Sequence, residues 1–268
     1  MALRLGCQGW NYPDWVGPFY PPRTARTRFL STYARAFDTV EIDATFYAIP
    51  SVRTVQGWAT QVPQGFLFSP KLPQEITHLR RFQHVGEIQA QFFEHMRHLG
   101  DRLGIVLCQC APDFTPDEFE AFRAWVPTVP RDIRLAVEFR HKGWITKAVH
   151  ELCGEHGIAI ALSDGRWIPR AWLLQLAERP TADFAYVRWM GPNRAITTFG
   201  HLQRDVTAEL DAWTPVLAGI RDRVATALGY CNNHFSGHAP ATVRALQSRL
   251  GLRVVPPDTL DDQPTLFG

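Results

Sequence analysis

The chain has 268 residues, 46% of them hydrophobic, with a formal net charge of +2. That length suits one α/β barrel or two smaller domains, and the near-neutral balance excludes a global basic field for nucleic acid. The start has no charged segment followed by a long apolar run, and nowhere do about 18 apolar residues stand together, so neither a signal peptide nor a membrane span is expected. The five cysteines form no C-x-x-C pair. Four of them (Cys7, Cys108, Cys110, Cys231) fall in apolar runs, which fits reduced thiols in a cytoplasmic protein.

In chain order, short apolar runs predict strands at 3–8, 39–44, 66–71, 104–110, 134–140, 158–163, 184–190 and 228–233. Helical periodicity lies between them: Phe29, Leu30, Tyr33 and Phe37, then Val52, Val55 and Trp58. Further on come Phe119, Phe122 and Val126, then Val206, Leu210, Trp213 and Leu217, and a last helix over 240–250. The segment 72–100 is long enough for a loop and a helix. Strand–helix alternation predicts a parallel sheet, because parallel neighbours need a crossover. The expected fold is α/β, a single (β/α)8 TIM-type barrel over 1–255, with 256–268 an extended or disordered tail. A doubly wound open sheet is the alternative, but no G-x-G-x-x-G follows the first strand.

Strand parity then assigns faces. One face of a barrel strand meets the helices and must be apolar; the other meets the lumen. Val40 and Ile42 fit the helix side, so Glu41 and Asp43 point inward. The same reasoning sends Ser69 and Lys71, Leu107 and Gln109, Glu138 and Arg140, and Tyr186 and Arg188 inward. Gln8 ends the first strand, and the last offers Asn232 or Asn233, between which parity does not decide. These polar residues finish their strands at the C-terminal face, where barrel active sites lie. Asp164 stands just beyond the sixth strand. Aromatic residues crowd the same loops, among them Trp10, Phe46, Tyr47 and Trp144, and such rings can stack on a base or sugar.

The stretches "GCQGWNYPDWVGPFYPP", "TVEIDATFYAIPS", "GFLFSPKLPQEITH", "LAVEFRHKGW", "YVRWMG" and "GYCNNHFSGHAP" together resemble the YecE-like family (domain of unknown function 72) from residue 5 to about 250. The resemblance implies a TIM-type barrel and no settled activity. It picks out Glu41, Phe46, Tyr47, Lys71, His78, Gln109, Glu138, Arg140, His141, Arg188, Asn232 and Asn233. Asp43 stands where the family usually has Asn, Met190 where a His commonly follows the Arg–aromatic pair, and "LCQCAPDF" replaces a Leu-Gln-Leu-Pro-Pro run while keeping Gln109.

The barrel shape is also similar to apurinic endonucleases of the endonuclease IV type. The histidines here are too scattered for their zinc cluster, so none is expected. One Mg²⁺ or Mn²⁺ on Glu41, Asp43 and Glu138 is chemically admissible, in competition with ion pairing to Lys71, Arg140 and Arg188. At the end of the chain, Gln263, Leu266 and Phe267 match the Gln-x-x-Leu-Phe pattern that docks bacterial replication and repair proteins on the DNA sliding clamp.

Three functions follow as expectations. The first is a binder or hydrolase of a phosphate-bearing ligand, nucleotide or DNA-related. In it Glu41 or Glu138 is the general base and Lys71, Arg140 and Arg188 hold phosphate oxygens, while Trp10, Tyr47 and Trp144 supply stacking. The second is a carbohydrate hydrolase using Glu41 and Glu138. The third is a non-catalytic adaptor.

Overall fold

The computed structural model describes residues 2–191 and 195–261. All eight expected strands are present: β1 Ala2–Gln8, β2 Thr39–Ile42, β3 Leu67–Pro70, β4 Val106–Gln109, β5 Leu135–Glu138, β6 in two pieces (Ala159–Ile160 and Leu162–Gly165), β7 Phe184–Gly191 and β8 Thr226–Cys231. Helices separate them at Phe29–Ala36, Val52–Thr60, Gly86–Arg97, Phe119–Trp125, Lys147–Glu155, Arg170–Ala177 and Thr207–Arg223, and Ala239–Arg249 follows the last strand. The long segment 72–100 holds a π-helical turn, Glu75–Leu79, before its helix.

Every strand pair is parallel. One sheet runs β3-β2-β1-β8-β7-β6 through the second piece of β6, and the other runs β4-β5-β6 through the first. The sheets meet at two seams. Ala161 alone separates the pieces of β6, and its N–H donates to the Val137 carbonyl at 2.8 Å. β3 and β4 touch through isolated bridges, Phe68 with Leu103 and Lys71 with Leu107. There the Leu72 N–H donates to the Leu107 carbonyl at 2.8 Å. Following the pairings therefore returns to the starting strand, the cyclic order of a TIM-type barrel.

The strands alternate as a barrel requires. Leu5, Cys7, Val40, Phe68, Cys108, Val137, Val187 and Cys231 join the large core beneath the helices. Leu67, Leu107, Ala136, Ala161, Tyr186, Leu228 and Tyr230 form a second core inside the barrel. This inner plug fills the N-terminal half, so the charged inward residues of the network gather toward the C-terminal half. Position 6 of β1 needs a glycine, because a Cβ there would collide with the Thr39 carbonyl of β2 and crowd the Tyr33 hydroxyl that bridges the two strands.

The tail begins later than its composition suggests. Pro257–Leu260 forms a 3-10 turn rather than an extended strand. Leu260 is buried, and Arg35 Nη1 donates to its carbonyl at 3.1 Å. Pro256 and Pro257 hide this turn from a periodicity reading. Gln263, Leu266 and Phe267 lie outside the described residues.

Candidate functional site

The site is built in two tiers. The lower tier is a sealed ion-pair network. Arg188, on the inner face of β7, donates from Nε and Nη2 to the two oxygens of Glu41 at 2.9 and 2.8 Å. Its Nη1 donates to Glu138 and, at 3.3 Å, to Gln109. The Tyr186 hydroxyl donates to Glu41 at 2.7 Å. Arg188 and Glu138 are 1% exposed and Glu41 is not exposed at all. Beneath, the Tyr230 hydroxyl donates to Ser69 at 2.7 Å and shares a 2.6 Å hydrogen bond with Thr39. These groups come from six different strands (β2, β3, β4, β5, β7 and β8), so together they also fix the barrel's cross-section.

Burial raises the proton affinity of both carboxylates, but they end differently. At Glu41 burial wins over the opposing charge of Arg188, and its pKa is raised. At Glu138 the two guanidiniums of Arg188 and Arg140 more than reverse the burial cost and hold it at about 2, against an ordinary 4.5. The stability contributed by Glu138 is therefore complete above its unfolded pKa and is lost as pH falls toward 2.

The upper tier is the mouth. Arg140, just past β5, donates from Nε to Glu138 at 2.7 Å and from Nη2 to Gln109 at 2.6 Å. Its Nη1 makes no hydrogen bond among the described residues. Lys71, just past β3, places Nζ 4.0 Å from the centroid of the Phe46 ring. The nearest carboxylate oxygen to it, Asp43 Oδ1, is 3.6 Å away, too far for a hydrogen bond. His78, from the π-helical turn, packs edge-on against the same Phe46 ring at 5.0 Å. Its Nδ1 shares a 2.8 Å hydrogen bond with Thr77, while Nε2 makes none among the described residues. Burial, Arg140 and then Lys71 lower the His78 pKa to about 4, so the ring is neutral at neutral pH. Tyr47, 73% exposed, stands against Phe46 at the rim.

Strand 8 settles the open choice. Asn232 lies at the mouth, where its amide donates to Gln8 Oε1 and its Oδ1 accepts from the His234 N–H at 2.7 Å. Asn233 is buried toward the helices, its Oδ1 accepting from Trp15 Nε1 at 3.2 Å and from the Ala239 N–H at 3.0 Å. Gln8 Nε2 donates to Met190 Sδ at 3.0 Å, so the position where the resemblance leads one to expect a histidine carries a thioether at the rim. His141 uses Nδ1 to cap the following turn, accepting from the Gly143 N–H at 3.2 Å.

Besides Asn233, three expected site residues lie elsewhere. Asp164 faces the helix layer, where it accepts from Trp213 Nε1 at 2.6 Å and Arg170 Nε at 2.8 Å; Ser163 takes the inward position. Trp144 is fully buried between Phe114 and Phe139, nearly parallel to both at 4.8 and 4.9 Å. Trp10 packs on Trp58 and Phe68 at 5.8 and 6.4 Å, on the outer face of β3. These loops double back over the helices, so their rings complete the core instead of lining the mouth. The residue that sequence reasoning undervalued is His78, whose signal was its place in "ITH".

A divalent cation on Glu41, Asp43 and Glu138 does not fit this arrangement. Every oxygen of Glu41 and Glu138 already accepts from an N–H or O–H, and the Arg188 guanidinium occupies the space between them. Among the described residues no three His, Cys, Asp or Glu side chains converge on a point that could hold a metal ion. No helix among them is long and apolar enough to cross a membrane.

Comparison with known proteins places this geometry in a family. UPF0759 protein YecE of Escherichia coli K12 is 30% identical over 156 residues, 58% of this chain and 55% of that protein. UPF0759 protein YunF of Bacillus subtilis 168 is 31% identical over 157 residues, 56% of this chain and 54% of that one. The matched stretch thus spans about half the length of these curated relatives. A crystal structure of a DUF72 family protein from Thermotoga maritima superposes with a TM-score of 0.78 at 25% identity, covering 94% of this chain and all of that one. A DUF72 family protein from Enterococcus faecalis gives a TM-score of 0.75 at 20% identity, covering 94% of this chain and 98% of that one. The model of the family described as "Protein of unknown function DUF72" matches residues 4–265, and the chain belongs to that family.

Proposed function

We propose that the barrel mouth binds a phosphate-bearing ligand of the nucleotide or sugar-phosphate kind. One observation carries this reading. Lys71 Nζ, Arg140 Nη1 and His78 Nε2 are nitrogen groups without hydrogen-bond partners among the described residues; Lys71 and His78 flank one ring, Phe46, and Arg140 is near enough for its charge to act on both. Arg140 and Lys71 both depress the His78 pKa, which supports their closeness. A phosphate supplies the acceptor oxygens that this set lacks. Exposed Tyr47 offers a face to the rest of the ligand.

In this reading Glu41, Glu138 and Arg188 form the floor. They hold Arg140 and Gln109 in position and do not themselves touch the ligand. That weighs against the carbohydrate-hydrolase alternative, because a glycosidase needs one carboxyl group with a raised pKa facing the substrate. Glu41 has a raised pKa but is sealed beneath Arg188 and Tyr186, away from any substrate, and Glu138 is held near 2 by two arginines.

The test is calorimetric titration with inorganic pyrophosphate and a panel of mononucleotides and sugar phosphates. Saturable binding is expected, and Arg140→Ala is expected to weaken it about 10- to 100-fold, the worth of one charge-assisted hydrogen bond. Equal affinity in the variant would contradict the reading.

The clamp-binding tail is a separate proposal. Its support is the anchoring of Leu260 by Arg35, in the last turn of the helix Phe29–Ala36 that leads into β2. Leu260 thus lies at the end of the barrel opposite the mouth, which leaves the mouth clear of the point where the described chain ends. Deleting 263–268 is expected to abolish recovery of this protein on an immobilised sliding clamp; undiminished recovery would remove the proposal.

A further inference from the structure

We propose that Lys71 is an amine nucleophile that forms an imine with a carbonyl group of the bound ligand, which makes that ligand a phosphorylated aldehyde or ketone. The inference rests on the anion-binding reading above and adds what the mouth does to its occupant. Lys71 is the one lysine of the barrel interior. The other two, Lys142 and Lys147, lie on the surface after β5. A side chain needed only for its charge would do as well as arginine in a chain that otherwise uses arginine for 25 of its 28 basic side chains. An amine differs from a guanidinium in one chemical respect that matters here: it can lose a proton and attack carbon.

The surroundings of Nζ fit that use. Its side chain is 8% exposed, it lies against an aromatic face, and it makes no hydrogen bond among the described residues. Such an ammonium is poorly solvated and poorly compensated. Burial, aided by the charges of Arg188 and Arg140, lowers its pKa against the opposing pull of Asp43 and Glu41. Desolvation and cationic neighbours are the two recognised means of activating a lysine for imine chemistry. Asp43 Oδ1, at 3.6 Å and part-exposed at the rim, is placed to manage the proton.

The step balances without another reagent. Rotation of the part-exposed Asp43 carboxylate toward Nζ closes the 3.6 Å gap and lets it take a proton from the Lys71 ammonium. The nitrogen lone pair then forms a bond to the carbonyl carbon, the C=O π pair moves to oxygen, and Asp43 returns the proton to that oxygen. The carbinolamine next loses its hydroxyl and a nitrogen-bound proton as water, which leaves a carbon–nitrogen double bond at Lys71. Arg140 and His78 hold the phosphate throughout.

The experiment treats the full chain at neutral pH with glycolaldehyde phosphate and sodium cyanoborohydride, then maps modified lysines by mass spectrometry. Lys142 and Lys147 are internal controls for ordinary surface amines. Labelling of Lys71 is expected to exceed theirs by about tenfold or more, because a desolvated amine beside cationic groups is the freer nucleophile. Lys71→Arg is expected to remove that adduct, and Asp43→Asn to slow its formation. Labelling confined to Lys142 and Lys147, in protein that still binds pyrophosphate, would overturn the imine and leave anion binding standing. Equal labelling of Lys71 by unphosphorylated glycolaldehyde would support the amine and contradict the phosphate site.

Discussion

Replacing Arg188 by methionine is expected to destabilise the chain by about 3–5 kcal/mol, because it strands Glu41 and Glu138 in the barrel without a counter-charge. For a domain of this size that is a fall in Tm of roughly 10 °C. Each carboxylate is at most 1% exposed and directs oxygens at the lost guanidinium. The loss should be greatest at neutral pH and smaller in acid, where the stranded carboxylates take up protons. Adding Glu41→Gln and Glu138→Gln to Arg188→Met removes both charges and is expected to restore much of the stability. Denaturant unfolding of the two variants checks this. A single variant within about 1 kcal/mol of wild type would mean that water reaches the carboxylates and that the floor is not sealed.

Trp144→Ala is expected to cost about 3–5 kcal/mol of stability, the usual loss for a fully buried large aromatic side chain. Trp144 lies parallel to both Phe114 and Phe139, and its Nε1 donates to the Phe114 carbonyl at 2.7 Å. The variant loses ring contacts with Phe114, Phe119, Phe122 and Phe139 and leaves that carbonyl short of a donor. Ligand affinity in the fraction that remains folded should be unchanged. Thermal unfolding and a pyrophosphate titration on the same sample separate the two effects. Weakened binding with unchanged stability would return Trp144 to the mouth.

These two residues mark where the sequence was legible. Arg188 was readable because β7 alternates strictly: Val187 and Trp189 are apolar, so the arginine between them must point inward. The same parity placed Glu41, Gln109 and Glu138 correctly, and strand–helix alternation was enough for the barrel. Trp144 was not readable, because a loop has no period; nothing local tells a ring that covers the core from one that lines a cleft. Asp164 failed for a related reason. Strand six was expected to stop at 163, but it restarts after Ala161 and carries Asp164 on its helix-facing side, beside a shift in register with β7. His78 sits in a π-helical turn, whose period matches neither template.

The difference between a sealed plug and a binding site lies in the upper tier. The lower tier alone would satisfy a purely structural network, since every charge there has a partner. Lys71, Arg140 and His78 retain nitrogens without hydrogen-bond partners among the described residues, and that supports the proposal that the mouth binds an anion.

The most direct measurement is the pKa of His78, followed by NMR of the imidazole with and without saturating pyrophosphate. In the free protein the ring should titrate at about 4, held down by burial, Arg140 and Lys71. A bound anion brings negative charge to the same three groups, and the pKa should rise by about one unit or more. A value that stays where it was, with pyrophosphate in excess, would mean that no anion sits beside His78.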